Sequence, residues 1–137
     1  MTPAAERGTT RDAVTRSLLI ALGGLTGSVA RYWLAGLVQR AAGAEFPAGT
    51  LAVNVLGSFV IGVVMALALE RGMMGENTRL LLTTGFCGGF TTMSAFSYET
   101  LALMQAGQAA VALANVAASV VACVGATWVG MLVGRAV

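Results

Sequence analysis

The chain has 137 residues, of which 57% are hydrophobic and 10% charged, with a formal net charge of +2 and no histidine. Soluble domains carry roughly 25% charged residues, so this composition excludes a soluble globule and points to an integral membrane protein. Without histidine the commonest metal ligand and general base are gone, and so small a charge makes no case for nucleic-acid binding.

The 18 glycines and the long Ala/Val/Leu runs favour helices packed through small residues. A β-barrel would instead show alternating segments of about ten residues. Cys87 and Cys123 stand in apolar segments, too far apart for a zinc motif, and read as free buried thiols.

Residues 1–16 are polar, with Glu6, Arg7, Arg11, Asp12 and Arg16, and read as a flexible tail ahead of a single transmembrane domain over 17–137. The basic start resembles that of a signal peptide, but the apolar run behind it is too long and shows no small-residue cleavage site. A first span from about Ser17 to Val38 contains Gly23-x-x-x-Gly27, a pattern that lets helices approach closely. Arg31 lies toward its far end beside Tyr32 and Trp33. It either snorkels to an interfacial aromatic belt or sets a positive charge at a pore mouth, and the two are compatible.

A second span, about Thr50 to Leu69, holds one strongly polar residue, Asn54, with Ser58 and Gly62 continuing a small face. A carboxamide in hydrocarbon needs partners; it either staples helices or offers its NH₂ to a passing anion. The third segment is free of charge from Leu80 to Tyr98, with Glu99 at its end. Its middle, Gly88-Gly89-Phe90-Thr91-Thr92, is a poor helix, and irregular backbone at membrane depth survives only in a protein interior or beside a polar cavity. Close helix packing is the other reading of the same small residues. An unwound turn at Gly88 to Thr91 would bare carbonyls suited to a hard cation such as Na⁺, structural rather than transported because no acid lies near.

The last span, about Ala109 to Val133, spaces Asn115, Ser119, Cys123 and Thr127 by four, which places them on one slowly drifting stripe. The stripe reads as a water- or ion-facing track, although serine and threonine also back-bond within a helix. The fold class is therefore all-α integral membrane, with four transmembrane helices per protomer and the third broken. So slender a bundle needs a second copy to enclose a hydrophilic path. No nucleophile–base pair exists, so the chain is not expected to be an enzyme. Neutral donors inside the spans favour passage of a small anion.

Three stretches then identify a resemblance. Gly24-Leu25-Thr26-Gly27-Ser28-Val29-Ala30-Arg31-Tyr32, Gly49-Thr50-Leu51-Ala52-Val53-Asn54-Val55-Leu56-Gly57-Ser58 and Thr84-Gly85-Phe86-Cys87-Gly88-Gly89-Phe90-Thr91-Thr92-Met93-Ser94-Ala95-Phe96-Ser97-Tyr98-Glu99-Thr100 are similar to motifs of the CrcB/Fluc family of fluoride channels. The likeness covers essentially everything after the N-terminal tail. It implies an antiparallel, dual-topology dimer in the bacterial inner membrane, passing fluoride passively out of the cell through two pathways and so protecting it from fluoride toxicity.

On the matching positions the family's pore asparagine is Asn54 and its polar track is Ser119 and Thr127, with Asn115 and Cys123 between them. A structural Na⁺ would be held at the dimer interface by the Gly88 and Thr91 carbonyls of both protomers. Of the family's two pore phenylalanines, Phe96 matches the second and Met93 replaces the first.

Arginines divide unevenly: Arg7, Arg11, Arg16, Arg71, Arg79 and Arg135 fall on the side of the termini, against Arg40 and Arg31 opposite. Such bias favours one orientation. A homodimer is the expected assembly, an inverted paralogue the other option. Two rival functions are a small dual-topology drug exporter, which would need a glutamate in the first span, and a membrane scaffold that transports nothing.

Overall fold

The computed structural model describes the backbone of residues 3–137 and the side chains from Thr9 onward. All regular structure among the described residues is helical. Helix α1 runs over Pro3–Ala42; proline suits a first helical turn, where its missing N–H has no partner to lose. The polar stretch 3–16 is thus helical and continuous with the first apolar run, because no turn signal separates them. Residues 9–18 are exposed on every side.

Gly43, at φ +87°, turns the chain out of α1. Gln39 holds this turn closed: its Nε2 donates to the carbonyls of Gly43 (2.6 Å) and Phe46 (2.9 Å). Its Oε1 accepts from the Gly49 N–H (3.0 Å), in the first turn of the next helix.

Helix α2, Ala48–Met65, continues through a wide π turn over Ala66–Glu70. After a loop, α3 (Glu76–Leu80) passes through a second π turn (Leu81–Cys87) into the short α4 (Gly88–Phe90). Thr91 and Thr92 are extended, at φ/ψ of −89°/160° and −151°/111°. Helix α5 then runs over Met93–Gln105, and Gly107, at φ +76°, leads into α6, Ala109–Ala136.

Three helical stretches among the described residues are long and apolar enough to cross a membrane: Thr9–Ala42, Ala48–Glu70 and Ala109–Ala136. The remaining segment is two half-helices meeting at Thr91–Thr92.

The interruption lies one step beyond the glycine pair. Gly88 and Gly89 are helical, and Gly89 seats against the Gly24 carbonyl of α1, where a Cβ would collide with backbone. Glycine here serves close packing, while the β-branched threonines supply the break. Gly23 and Gly27 likewise face the backbone around Leu81, Gly85 and Phe86, so the small-residue pattern of the first span docks α1 on the third segment.

The most extensive pairing joins α2 to α6. It depends on Gly62 against the Thr127 carbonyl, Gly130 against that of Phe59, and Gly134 against Val63 and Ala66. Two ion pairs tie helices together, Arg16 of α1 to Glu76 of α3 at 3.1 Å and Arg135 of α6 to Glu70 after α2 at 2.6 Å. Leu18, Leu22, Leu25, Val121 and Val124 stay exposed, as lipid-facing side chains would.

Candidate functional site

The break is held by Asn54. Its Oδ1 accepts from the Thr92 N–H (2.7 Å) and its Nδ2 donates to the Thr92 carbonyl (3.1 Å). A side-chain amide thus takes the place of a neighbouring strand: it satisfies the Thr92 N–H that the interrupted helix leaves open and adds a second donor to the carbonyl that opens α5. Thr92 in turn caps α5, its Oγ1 accepting from the Ala95 N–H (3.1 Å). Thr91 closes the turn before the break: its N–H (2.9 Å) and Oγ1 (3.0 Å) both donate to the Cys87 carbonyl.

A cavity of about 310 Å³ opens beside the break, with Asn54, Ser58, Cys87, Gly88, Thr91 and Met93 among its walls. No carboxylate or guanidinium lines it. Of the two Nδ2 hydrogens of Asn54, the Thr92 carbonyl takes one, leaving a donor at this wall. Met93 is 71% exposed at the start of α5; Phe96, one turn on, is half-buried and outside this cavity.

Arg31 is half-buried in a second cavity of about 390 Å³, shared with Ser28, Tyr32, Thr50 and Thr92. Both ion pairs of the described side chains lie elsewhere, so Arg31 has no carboxylate partner among them. Thr92 is a wall of both cavities. Tyr32 and Trp33 point outward edge-to-face, centroids 5.5 Å apart, as an interfacial belt would.

The stripe on α6 divides into two parts. Asn115 is 1% exposed, and its Nδ2 donates to Thr100 Oγ1 (2.9 Å), which donates to the Phe96 carbonyl (2.7 Å). Ser119 is buried too, yet its Oγ has no partner, unlike the hydroxyls that back-bond in these helices. Thr127 does back-bond, to the Cys123 carbonyl (3.0 Å), and its own carbonyl faces Gly62. Cys123 is a half-buried free thiol. The upper stripe therefore meets α5 and the lower stripe enters the α2–α6 seam. The cavity beside the break takes in Asn54 and Met93 and none of the α6 residues.

Three polar residues escaped the sequence reading. Thr92 is the hub of the break. Thr50 precedes Asn54 by one helical turn, and its Oγ1 donates to Glu99 Oε1 (2.8 Å). Glu99 does not end its segment, because α5 continues to Gln105 and stops only where Gly107 permits a turn. It sits mid-helix with Oε2 buried and unpartnered. The fourfold spacing of Thr50 and Asn54 was the signal available for the first; for Glu99 it was the good helix formers that follow it.

Long helices with outward apolar faces, beside a segment whose interruption Asn54 clasps, define an all-helical membrane protein. A family model described as "CrcB-like protein, Camphor Resistance (CrcB)" matches residues 18–131. A relative from Geobacter sulfurreducens, named "Fluoride-specific ion channel FluC", is 52% identical over 122 residues, 89% of this chain and 98% of its own length. Relatives bearing that name from Pelobacter propionicus (47% identical; 92% of this chain, 95% of the relative) and Magnetococcus marinus (48%; 85% and 94%) are similar throughout. The chain belongs to the CrcB family.

Proposed function

We propose that this protein is a fluoride-selective channel that lets fluoride leave the cell passively and so relieves its toxicity. The observation that carries the reading is the neutral cavity at the clasped break, in a chain whose relatives are named fluoride channels. Amide and hydroxyl donors suit a small, hard anion, and the absence of a carboxylate from that cavity leaves a cation little to bind there. Asn54 both staples the break and offers the remaining Nδ2 hydrogen, so the two readings of this residue combine. Arg31 is the mouth charge. Phe96, Asn115, Ser119, Cys123 and Thr127 continue the path, completed by a second chain.

The third segment crosses the membrane as two half-helices, giving four crossings. Two copies in opposite orientations form a homodimer with two pathways. A structural Na⁺ at their interface suits the backbone. The Thr92 N–H, normally the helical donor to the Gly88 carbonyl, goes to Asn54, and the Ala95 N–H, donor to the Thr91 carbonyl, goes to Thr92 Oγ1. Both carbonyls are thereby released from helical bonding. Gly88 is exposed and Thr91 half-buried in the single chain, and a second copy would add two more oxygens of the kind a hard cation prefers.

Purified protein in liposomes tests the function: fluoride efflux without proton coupling and without chloride efflux is expected, and its absence would refute the reading. Two substitutions probe the path. Ser119→Ala should slow fluoride efflux while leaving thermal stability within about 0.5 kcal/mol, since no hydrogen bond is lost. Met93→Phe supplies an aromatic edge that a thioether lacks and should raise or alter the flux. An unchanged flux would make ring contact at position 93 irrelevant.

A further inference from the structure

The end of α1 carries a second arginine whose placement the pathway above does not use. Arg40 lies in the last turn of α1 and is exposed. Its side chain folds back along the helix rather than outward: Nη1 lies 3.6 Å from where a Cβ on Gly36 would stand. Gly36 lines the Arg31 cavity. The folded-back guanidinium therefore lies beside Gly36, a wall residue of the cavity that Arg31 also lines, and the missing Gly36 side chain leaves it room.

The two ion pairs of the described side chains, Arg16–Glu76 and Arg135–Glu70, involve neither Arg31 nor Arg40. The nearby carboxylates, Glu45 and Glu99, line a different cavity with Gln39, Phe46 and Tyr98. Thr50, which shares the Arg31 cavity, donates its hydroxyl hydrogen to Glu99.

Resting on the fluoride-channel reading, we infer that Arg40 is a second mouth charge, acting with Arg31 to concentrate fluoride at the rim of the path without taking part in selectivity. Focusing of this kind depends on charge and on screening, not on a bond to the ion. It therefore has a signature that a structural role lacks.

The test is fluoride conductance of the intact channel in planar bilayers, with fluoride fixed and ionic strength raised by an impermeant salt. At about 10 mM ionic strength Arg40→Gln should lower conductance about twofold, the scale of one unit charge acting through water over roughly 10 Å. Near 1 M, where screening extends only about 3 Å, the variant should match the parent protein. Arg40→Lys, which keeps the charge, should match it at both strengths, and fluoride-over-chloride selectivity should not change. Equal loss at both strengths, no loss at either, or a lysine variant as poor as glutamine would overturn the inference. Arg31→Gln run in parallel separates the two proposals: a salt-dependent loss there with none for Arg40 defeats only the second charge, whereas a parent protein that passes no fluoride defeats the channel.

Discussion

Replacing Asn54 with alanine should lower fluoride efflux by about tenfold or more and destabilise the fold by on the order of 2–4 kcal/mol, the largest combined effect expected of any single change here. The two losses have separate origins. Efflux falls because the donor at the cavity wall disappears. Stability falls because the Thr92 N–H and carbonyl, bonded to Asn54 at 2.7 and 3.1 Å, lose their partner where water is scarce. Asn54→Asp keeps the acceptor for the Thr92 N–H but sets an oxygen against the Thr92 carbonyl and adds a half-buried charge that repels an anion. Efflux from liposomes and thermal stability in detergent should therefore fall for both variants, with aspartate passing no more fluoride than alanine. If alanine left both unchanged, neither role of Asn54 would survive.

Gly62→Val should prevent proper assembly of the α2–α6 pair. At this position even a Cβ meets the Thr127 carbonyl, and the nitrogen of Met131 is 3.1 Å away. These are backbone atoms of a long helix, unable to swing aside as a side chain would. Overpacking of a close-packed interior costs about 1–3 kcal/mol where side chains can adjust, and here helix separation is the only relief. A lower yield of folded protein and a melting temperature reduced by several degrees are the expected readouts. Gly125→Ala serves as control, since nothing lies within 4 Å of a Cβ there.

Much of this architecture was legible from residue pattern because its causes are local. Gly23 and Gly27 announced close packing, and they do face the backbone of the third segment. The interruption was legible in kind, from the glycine pair and the two threonines together, but the unwound turn expected at Gly88 to Thr91 begins only at Thr91, since intrinsic helix weakness ranks glycine above threonine. The outcome was decided by packing, which holds Gly89 helical against Gly24, and by Asn54, which rewards an extended Thr92. Neither influence is visible from neighbours in sequence. The same limit explains Thr50 and Glu99, residues 49 apart joined by one hydrogen bond, and the stripe on α6, whose spacing was right but whose two ends serve different neighbours.

Because Asn54 and Thr92 belong to one chain, the kink they create exists before any second molecule arrives. In the proposed dimer, joining a second copy would then require no refolding of this broken segment. Association should then be limited by lateral encounter and orientation rather than by refolding of the crossing.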